Sequence, residues 1–415
     1  MRISLRYPIT VGVAAIALGV AGGAAPALAA NNNTLIIGSA VSLTGKYATN
    51  GVITQRGYDL GVKRINEMGG VKIGGKTYKL KMKYYDDEST PLRTAELFER
   101  LIKQDGVKLL LGPYSSATTK AAAPIVEKYE IPMVEAEAAS RSLFTQGYKY
   151  MFGIVSTSEQ YIDSSIDLAA EMAKKHGKKP SSVTIAMAFE NDPFSLDVRA
   201  GAIARAKKYG MKIVVDDKLP TDLNDMSATL TKVKALKPDL LIVSGHEKGA
   251  ATAVREIKEN QVHVPMITIT QCEAADIVKK FGKKATEGIL CPTQWAETLH
   301  YKGKYFGTAA DYAKLFKKDY PEYSEVPYQA ASATAAVIVW KEALEKANSL
   351  NPKKLRAALA SLDFNTFYGP IKFDKTGKDT AKPMVLRQIQ DGKYQVVAPR
   401  KYATAKFEYP REAGT

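Results

Sequence analysis

The stretch from Leu35 to Lys76, LIIGSAVSLTGKYATNGVITQRGYDLGVKRINEMGGVKIGGK, decides how the rest of the chain is read. It opens on an apolar run, Leu35–Ile37, and breaks at Ser42-Leu43-Thr44-Gly45. Apolar and small residues then return at helical spacing: Ile53, Gly57, Leu60, Gly61, Ile65 and Met68. The pattern stops at Gly69-Gly70, where a left-handed helix C-cap belongs. A strand, a ligand-sized loop and a helix in that order form the first unit of a parallel sheet.

Upstream of this unit the chain has the features of an export signal. Arg2 and Arg6 make a positive start, Ile9 to Ala25 is apolar, and Ala27-Leu28-Ala29 is a small-x-small cleavage site. The apolar run is shorter than the roughly 20 residues a membrane span needs, and Pro26 ends it. No cysteine at the cleavage site provides for a lipid anchor. Residues 1–29 are therefore expected to be removed, leaving a periplasmic protein.

The remaining length suits two domains at roughly 100–200 residues each. Apolar residues at 45% and charged residues at 25% describe an ordinary globular protein. The formal net charge is +16, and loss of Arg2 and Arg6 leaves +14. The basic residues lie singly or in pairs, such as Lys174-Lys175 and Lys207-Lys208, and are not interleaved with aromatics. A solvated basic surface is expected, with no nucleic-acid partner.

The rhythm set by the first unit continues. Short buried-type strands are expected near 80–85, 109–111, 133–134, 183–188, 212–215, 240–243 and 266–269. Helical stretches fall near 94–104, 119–128, 162–175, 195–209, 226–235 and 249–259. Strands alternating with helices imply right-handed crossovers and parallel sheets covered on both faces. There are too many strands for one sheet, so two similar α/β domains are the simplest packing.

Ligands bind such sheets beyond the carboxyl ends of their strands. The loops there are Ser42–Gly45, Pro113-Tyr114-Ser115-Ser116, Glu135 to Ser140, Phe189 to Phe194, Gly245-His246-Glu247 and Thr270 to Glu273. They are rich in hydroxyls, aromatics and helix-opening N–H groups, which hold a carboxylate without a cationic side chain. Taken singly, each serine or threonine is equally an N-cap.

Gly70 to Thr77, GVKIGGKT, matches the phosphate-loop pattern letter for letter. A helix precedes it and a strand follows, the reverse of the context that pattern requires, so a turn is expected. The histidines (His176, His246, His263, His300) have no metal-ligand spacing, and no nucleophile elbow is present. Asp86-Asp87-Glu88 reads as a structural turn, and Glu135 with Glu137 as polar groups of a pocket or its rim. No catalytic residue, cofactor or metal is expected. Cys272 and Cys291, the only cysteines, are candidates for a disulfide in an oxidising compartment, although spacing alone leaves the pairing open.

Several of these motifs occur in a familiar order. Ala40 to Gly45, Ile65-Asn66 with Gly69-Gly70, Tyr85-Asp86-Asp87 and Gly112-Pro113 come first. Ser115-Ser116, Gln146-Gly147-Tyr148, Thr286-Glu287-Gly288 and Tyr368 to Phe373 follow. With them the chain resembles the substrate-binding component of ABC importers, in the branched-chain amino-acid-binding class of type I periplasmic binding proteins. The resemblance implies two doubly wound α/β lobes joined by a hinge of three crossings and closing over a ligand. It puts lobe one at about 31–157 and 294–380, and lobe two at 158–293 and 381–415. It also implies a monomer that captures a small carboxylate-bearing ligand and delivers it to an inner-membrane permease. A sensory protein of the same fold is the rival reading.

The family's ligand contacts correspond to Ser116, beside Ser115 and Tyr114, for the carboxylate, with Ala138, Ala139 and Ser140 in the next carboxylate loop. Asn50 takes an aromatic rim position, Phe194 and His246 the places of two tyrosines, and Thr270 the place of the acid that receives the ligand's ammonium group. A buried ammonium without an opposing carboxylate is poorly satisfied. The resemblance therefore implies that Glu137, Glu247 or Glu273 substitutes, or that the ligand is an aromatic or other organic acid without an amino group.

Overall fold

Strand β1 (Thr34–Val41) is inaccessible along most of its length and pairs in parallel with β3 (Lys76–Asp86) on one side and β4 (Leu109–Leu111) on the other. In this computed structural model, which describes residues 33–411, it is the centre of a six-stranded sheet. The sheet adds β2 (Val71–Ile73) at one edge, and β5 (Met133–Glu135) and β6 (Met151–Gly153) at the other. The expected export signal lies outside the described residues.

A second sheet of seven strands contains β7 (Thr184–Glu190), β8 (Lys212–Leu219), β9 (Leu240–Ser244), β10 (Met266–Ile269) and β11 (Leu290–Thr293), paired in parallel. Two short antiparallel pairs follow in the chain, β12 (Lys302–Gly303) with β13 (Gly307–Thr308), and β14 (Asp363–Thr366) with β15 (Gly369–Lys372). The chain then returns to the second sheet as β16 (Val385–Gln390) and β17 (Lys393–Ala398). Apolar clusters cover both faces of both sheets, giving the two doubly wound α/β lobes.

The sheets are parallel in their cores but not throughout. Gly74-Gly75 and Asp391-Gly392, all with positive φ, form two-residue turns, and such turns join only antiparallel strands. The first lies within Gly70 to Thr77, which is thus a hairpin between β2 and β3 and cannot cradle phosphate. Asp86 and Asp87 likewise serve the fold: Asp86 accepts from the N–H of Leu43, Thr44 and Glu88, and Asp87 from Ser42 and Thr94 hydroxyls.

The helix Ala48–Glu67 packs against the long buried helix Tyr328–Ala347. Contact is close because Gly57 and Gly61 face it; a Cβ on Gly57 would come within 2.4 Å of the Ala330 carbonyl oxygen. Three segments cross between the lobes, and Gln294 binds them together. Its Oε1 accepts from Ser156 N–H (3.0 Å), its Nε2 donates to Ser156 O (2.8 Å), and Ser156 Oγ donates to Lys382 O (2.8 Å). Cys272, just beyond β10, and Cys291, on β11, are joined as a disulfide with Cα atoms 5.9 Å apart. Among the described residues no helix is long and apolar enough to cross a membrane.

Candidate functional site

The loops leaving β1, β4 and β5 meet those leaving β7, β9 and β10. Contacts across this cleft include Tyr47 against His246, with ring centroids 4.6 Å apart, and Ser140 Oγ donating to Asp197 Oδ2 at 2.6 Å.

On the first lobe, the turn after β4 places Ser115 at φ +84° as the N-cap of the helix Ser116–Lys128, its Oγ accepting from Thr118 N–H. The first N–H groups of that helix have no partner within it and favour an anion. Gly112 is required in this turn because a Cβ would fall 1.8 Å from the Glu135 carboxylate. Glu135 Oε1 accepts from the N–H of Glu137 (2.6 Å) and Ala138 (2.9 Å), and its Oε2 accepts from Thr119 Oγ1 (2.9 Å). Glu135 therefore shapes the carboxylate loop from beneath, while burial pushes its pKa up to about 7. Ser140 N–H donates to Ser116 Oγ at 3.0 Å, linking the two anion-facing loops.

This arrangement assigns places to the residues singled out in the sequence. Ser116, Ser140, Ala138 and Ala139 are buried together at the cleft, but the Ala138 N–H is already engaged by Glu135. Asn50 is not at the rim. It is buried in the first turn of Ala48–Glu67, its Oδ1 accepting from Gln329 Nε2 (3.4 Å), and Tyr47 at the helix start supplies the aromatic ring instead.

On the second lobe, Asp192 caps the helix Pro193–Tyr209 by accepting from Ser195 N–H at 3.0 Å, which fixes Phe194 in the first turn. His246 ends the loop after β9. Its Nδ1 lies 3.0 Å from Tyr114 Oη on the other lobe, its Nε2 3.3 Å from Asp192 Oδ2, and its backbone N–H donates to Glu190 Oε1. Ligand atoms of Glu190, Asp192 and His246 all fall within 4.8 Å of one another, a cluster that local spacing in the sequence did not reveal. Burial alone would lower the His246 pKa, but Asp192 and Glu190 raise it. Burial works against the Asp192 carboxylate too, yet His246 holds it below its ordinary range, and burial carries Glu190 up to about 7.

Thr270 does not face the cleft with a free hydroxyl. Its Oγ1 accepts from Gly245 N–H and donates to Gly245 O (2.8 Å), bracing the His246 loop. Gln271, at φ +64°, instead reaches the first lobe: its Nε2 donates to Tyr328 Oη (3.1 Å) and its Oε1 accepts from Gln329 Nε2 (2.5 Å).

Three glutamates were expected to compete for the missing ammonium partner. Glu273 is paired with buried Arg387 at 3.0 Å, and Glu247 with Lys280 at 3.5 Å. Glu137 is buried, its Oε1 accepting from Ser332 Oγ (3.3 Å) and its Oε2 left without a partner. Burial and the neighbouring Glu135 raise its pKa well above the ordinary range. Glu190 and Asp192 belong to the Phe189–Phe194 loop but were not singled out. Tyr328, Gln329 and Ser332 were missed altogether, although polar residues at 329 and 332 inside an apolar helix were a visible signal.

Paired α/β lobes, a three-segment hinge and a polar interlobe cleft define a two-lobed solute-binding protein. A sequence profile described as periplasmic binding protein matches residues 34–393, and the chain belongs to that family. It is 25% identical over 388 residues to the Leu/Ile/Val-binding protein homolog 8 of Brucella abortus, covering 90% of this chain and 93% of that one. Its fold matches the branched-chain amino acid transporter substrate-binding protein LivJ of Streptococcus pneumoniae in complex with isoleucine. That match has a TM-score of 0.75 and 21% identity over 88% of this chain and all of that one. It matches equally well, at 0.75 and 20% identity over 92% of this chain and 99% of that one, an ABC-transporter solute-binding protein of Rhodopseudomonas palustris in complex with 3,4-dihydroxybenzoic acid.

Proposed function

We propose that this protein is a non-enzymatic periplasmic receptor that captures a small amino acid between its lobes and delivers it to an ABC permease. The lobes are taken as 31–157 with 294–380, and 158–293 with 381–415, moving about the segments at Ser156, Gln294 and Lys382. The ligand's carboxylate is held by the opening N–H groups of the Ser116 helix and by the Ser116–Ser140 pair. Its ammonium group is received by Glu137, next to that loop in sequence.

The observation that carries this reading is the unpartnered Glu137 Oε2, buried beside the carboxylate loop. A buried carboxylate is costly unless paired, so a cationic group arriving there is strongly favoured. The aromatic walls of Tyr47, Tyr114, Phe194 and His246 would also suit a benzoate. An aromatic acid without an ammonium group would leave Glu137 Oε2 and Glu190 Oε2 unanswered, which favours the amino acid.

A thermal-shift screen of residues 30–415 tests the proposal, using amino acids paired with their deaminated counterparts. A ligand at a hundred times its dissociation constant adds about 2.7 kcal/mol of stability. Stabilisation confined to the amino acids, and lost in Glu137→Gln, is expected. Stabilisation by the deaminated acids alone would overturn the amino-acid assignment.

A further inference from the structure

The acceptors left open at the cleft lie at two separate places. On the first lobe they are Glu137 Oε2 and Gln329 Oε1; on the second it is Glu190 Oε2, beside Asp192 Oδ2, which faces His246 Nε2 at 3.3 Å. Tyr47 Oη is also without a partner. Glu190 and Asp192 are 2% and 4% exposed, so water does not solvate them. His246 Nε2 answers Asp192 Oδ2 at 3.3 Å and its backbone N–H answers Glu190 Oε1, which leaves Glu190 Oε2 as the open acceptor of the pair. Lys46, 4.5 Å from the centroid of the Tyr47 ring, is exposed.

Resting on the reading of the cleft as an amino-acid site, we propose that the Glu190–Asp192 pair receives a second cation. This protein's ligand is then a basic amino acid of the lysine, ornithine or arginine class. Glu137 takes the α-ammonium group beside the carboxylate loop. The side chain runs between Tyr47, Tyr114 and Phe194, whose ring faces accommodate methylene groups and attract a cation. Its terminal ammonium or guanidinium group brings the donor that Glu190 Oε2 lacks and sets a positive charge beside Asp192.

The spacing agrees. Ser140, in the carboxylate loop, bonds to Asp197, and Asp192 precedes Asp197 by five residues at the start of the same helix. At 1.5 Å per residue Asp192 and Asp197 are about 7.5 Å apart along the axis, of the order of an extended basic side chain. The single-acid arrangement expected at position 270 serves only an α-amino group, and here Thr270 is occupied in bracing the Gly245 loop.

The test compares lysine with norleucine, its near-isostere lacking the terminal amine, by calorimetric titration of the whole mature chain. Lysine is expected to bind at least tenfold more tightly. Asp192→Asn and Glu190→Gln should remove that advantage. Asn keeps an oxygen for the Ser195 cap and Gln one for the His246 N–H, so a merely structural role survives both changes and charge pairing does not. Equal binding of lysine and norleucine would overturn the basic side-chain subsite and leave the amino-acid receptor standing. A lysine preference unchanged in both variants would overturn the placement at Glu190 and Asp192. Zinc binding lost in Asp192→Asn, with no lysine binding, would assign the cluster to a metal and overturn the proposal. Binding of carboxylic acids without amino groups only would overturn both readings. If either variant fails to fold by circular dichroism, the other decides.

Discussion

The side-chain amide of Gln294 and the peptide of Ser156 bond in both directions, N–H to Oε1 at 3.0 Å and Nε2 to O at 2.8 Å. Gln294 Nε2 also donates to Tyr161 Oη at 3.1 Å. One residue thus satisfies a buried backbone donor and acceptor on a neighbouring connecting segment. Gln294→Ala orphans both, at about 1–3 kcal/mol each. Urea unfolding should show a loss of about 2–6 kcal/mol, and an unchanged midpoint would remove Gln294 from the hinge.

Lys382 gives the same hinge a pH dependence. Its amine is buried, 4.4 Å from the centroid of the Tyr368 ring, and burial lowers its pKa from 10.5 to about 7, with Asp379 pulling the other way. Between pH 7 and 10.5 the unfolded chain carries a proton there that the folded chain does not, so this contribution to stability rises with pH across that window. The slope approaches ~1.4 kcal/mol per pH unit. The stability of the wild type relative to Lys382→Met should therefore climb between pH 7 and pH 10. Parallel stability curves for the two proteins would contradict it.

Glu273 and Arg387 form an ion pair with side chains 0% and 2% exposed, and Glu325 is 3.8 Å from the arginine. Removing one partner of a buried pair costs about 3–5 kcal/mol because the other charge stays behind. Glu273→Gln is expected to lose that much stability while the folded protein keeps its ligand affinity. Loss of affinity at preserved stability would return Glu273 to the list of ammonium partners.

Tyr114 and His246 join the lobes directly, Oη to Nδ1 at 3.0 Å. Tyr114→Phe keeps the ring packing on Tyr47 and His246 and removes this bond. A net hydrogen bond of about 0.5–1.5 kcal/mol corresponds to roughly a two- to tenfold weaker ligand affinity, since closure is linked to binding. Calorimetric titration reads it, and unchanged affinity would mean that this bond does not stabilise the closed form.

Much of this fold was legible in the sequence, because alternating apolar runs and helices are local signals. The strands at 109–111 and 266–269 and the C-cap at Gly69-Gly70 occur where the pattern put them. The antiparallel edges were not read, since they depend on two-residue turns rather than periodicity. The site was harder. Position 270 showed that an acid was missing, but which acid faces the cleft depends on long-range partners. Glu273 is taken by Arg387, distant in sequence, whereas Glu137 meets only Ser332 at Oε1 and keeps Oε2 open. The Asp192–His246 contact joins loops that no spacing rule connects.

The most direct test of capture by closure is the distance between the lobes. Lys120, on the Ser116 helix, and Lys248, on the helix after His246, are exposed on opposite lobes, and both native cysteines are held in the disulfide. Cysteines introduced at these two positions can be spin-labelled and the separation measured by pulsed electron resonance with and without an amino acid that stabilises the protein. A broad or longer distribution is expected in the free protein, because closure without a ligand leaves Glu137 Oε2 and Glu190 Oε2 unanswered. A shorter, narrower one is expected when the ligand is bound. Identical distributions in the two states would contradict the claim that the lobes close on their solute.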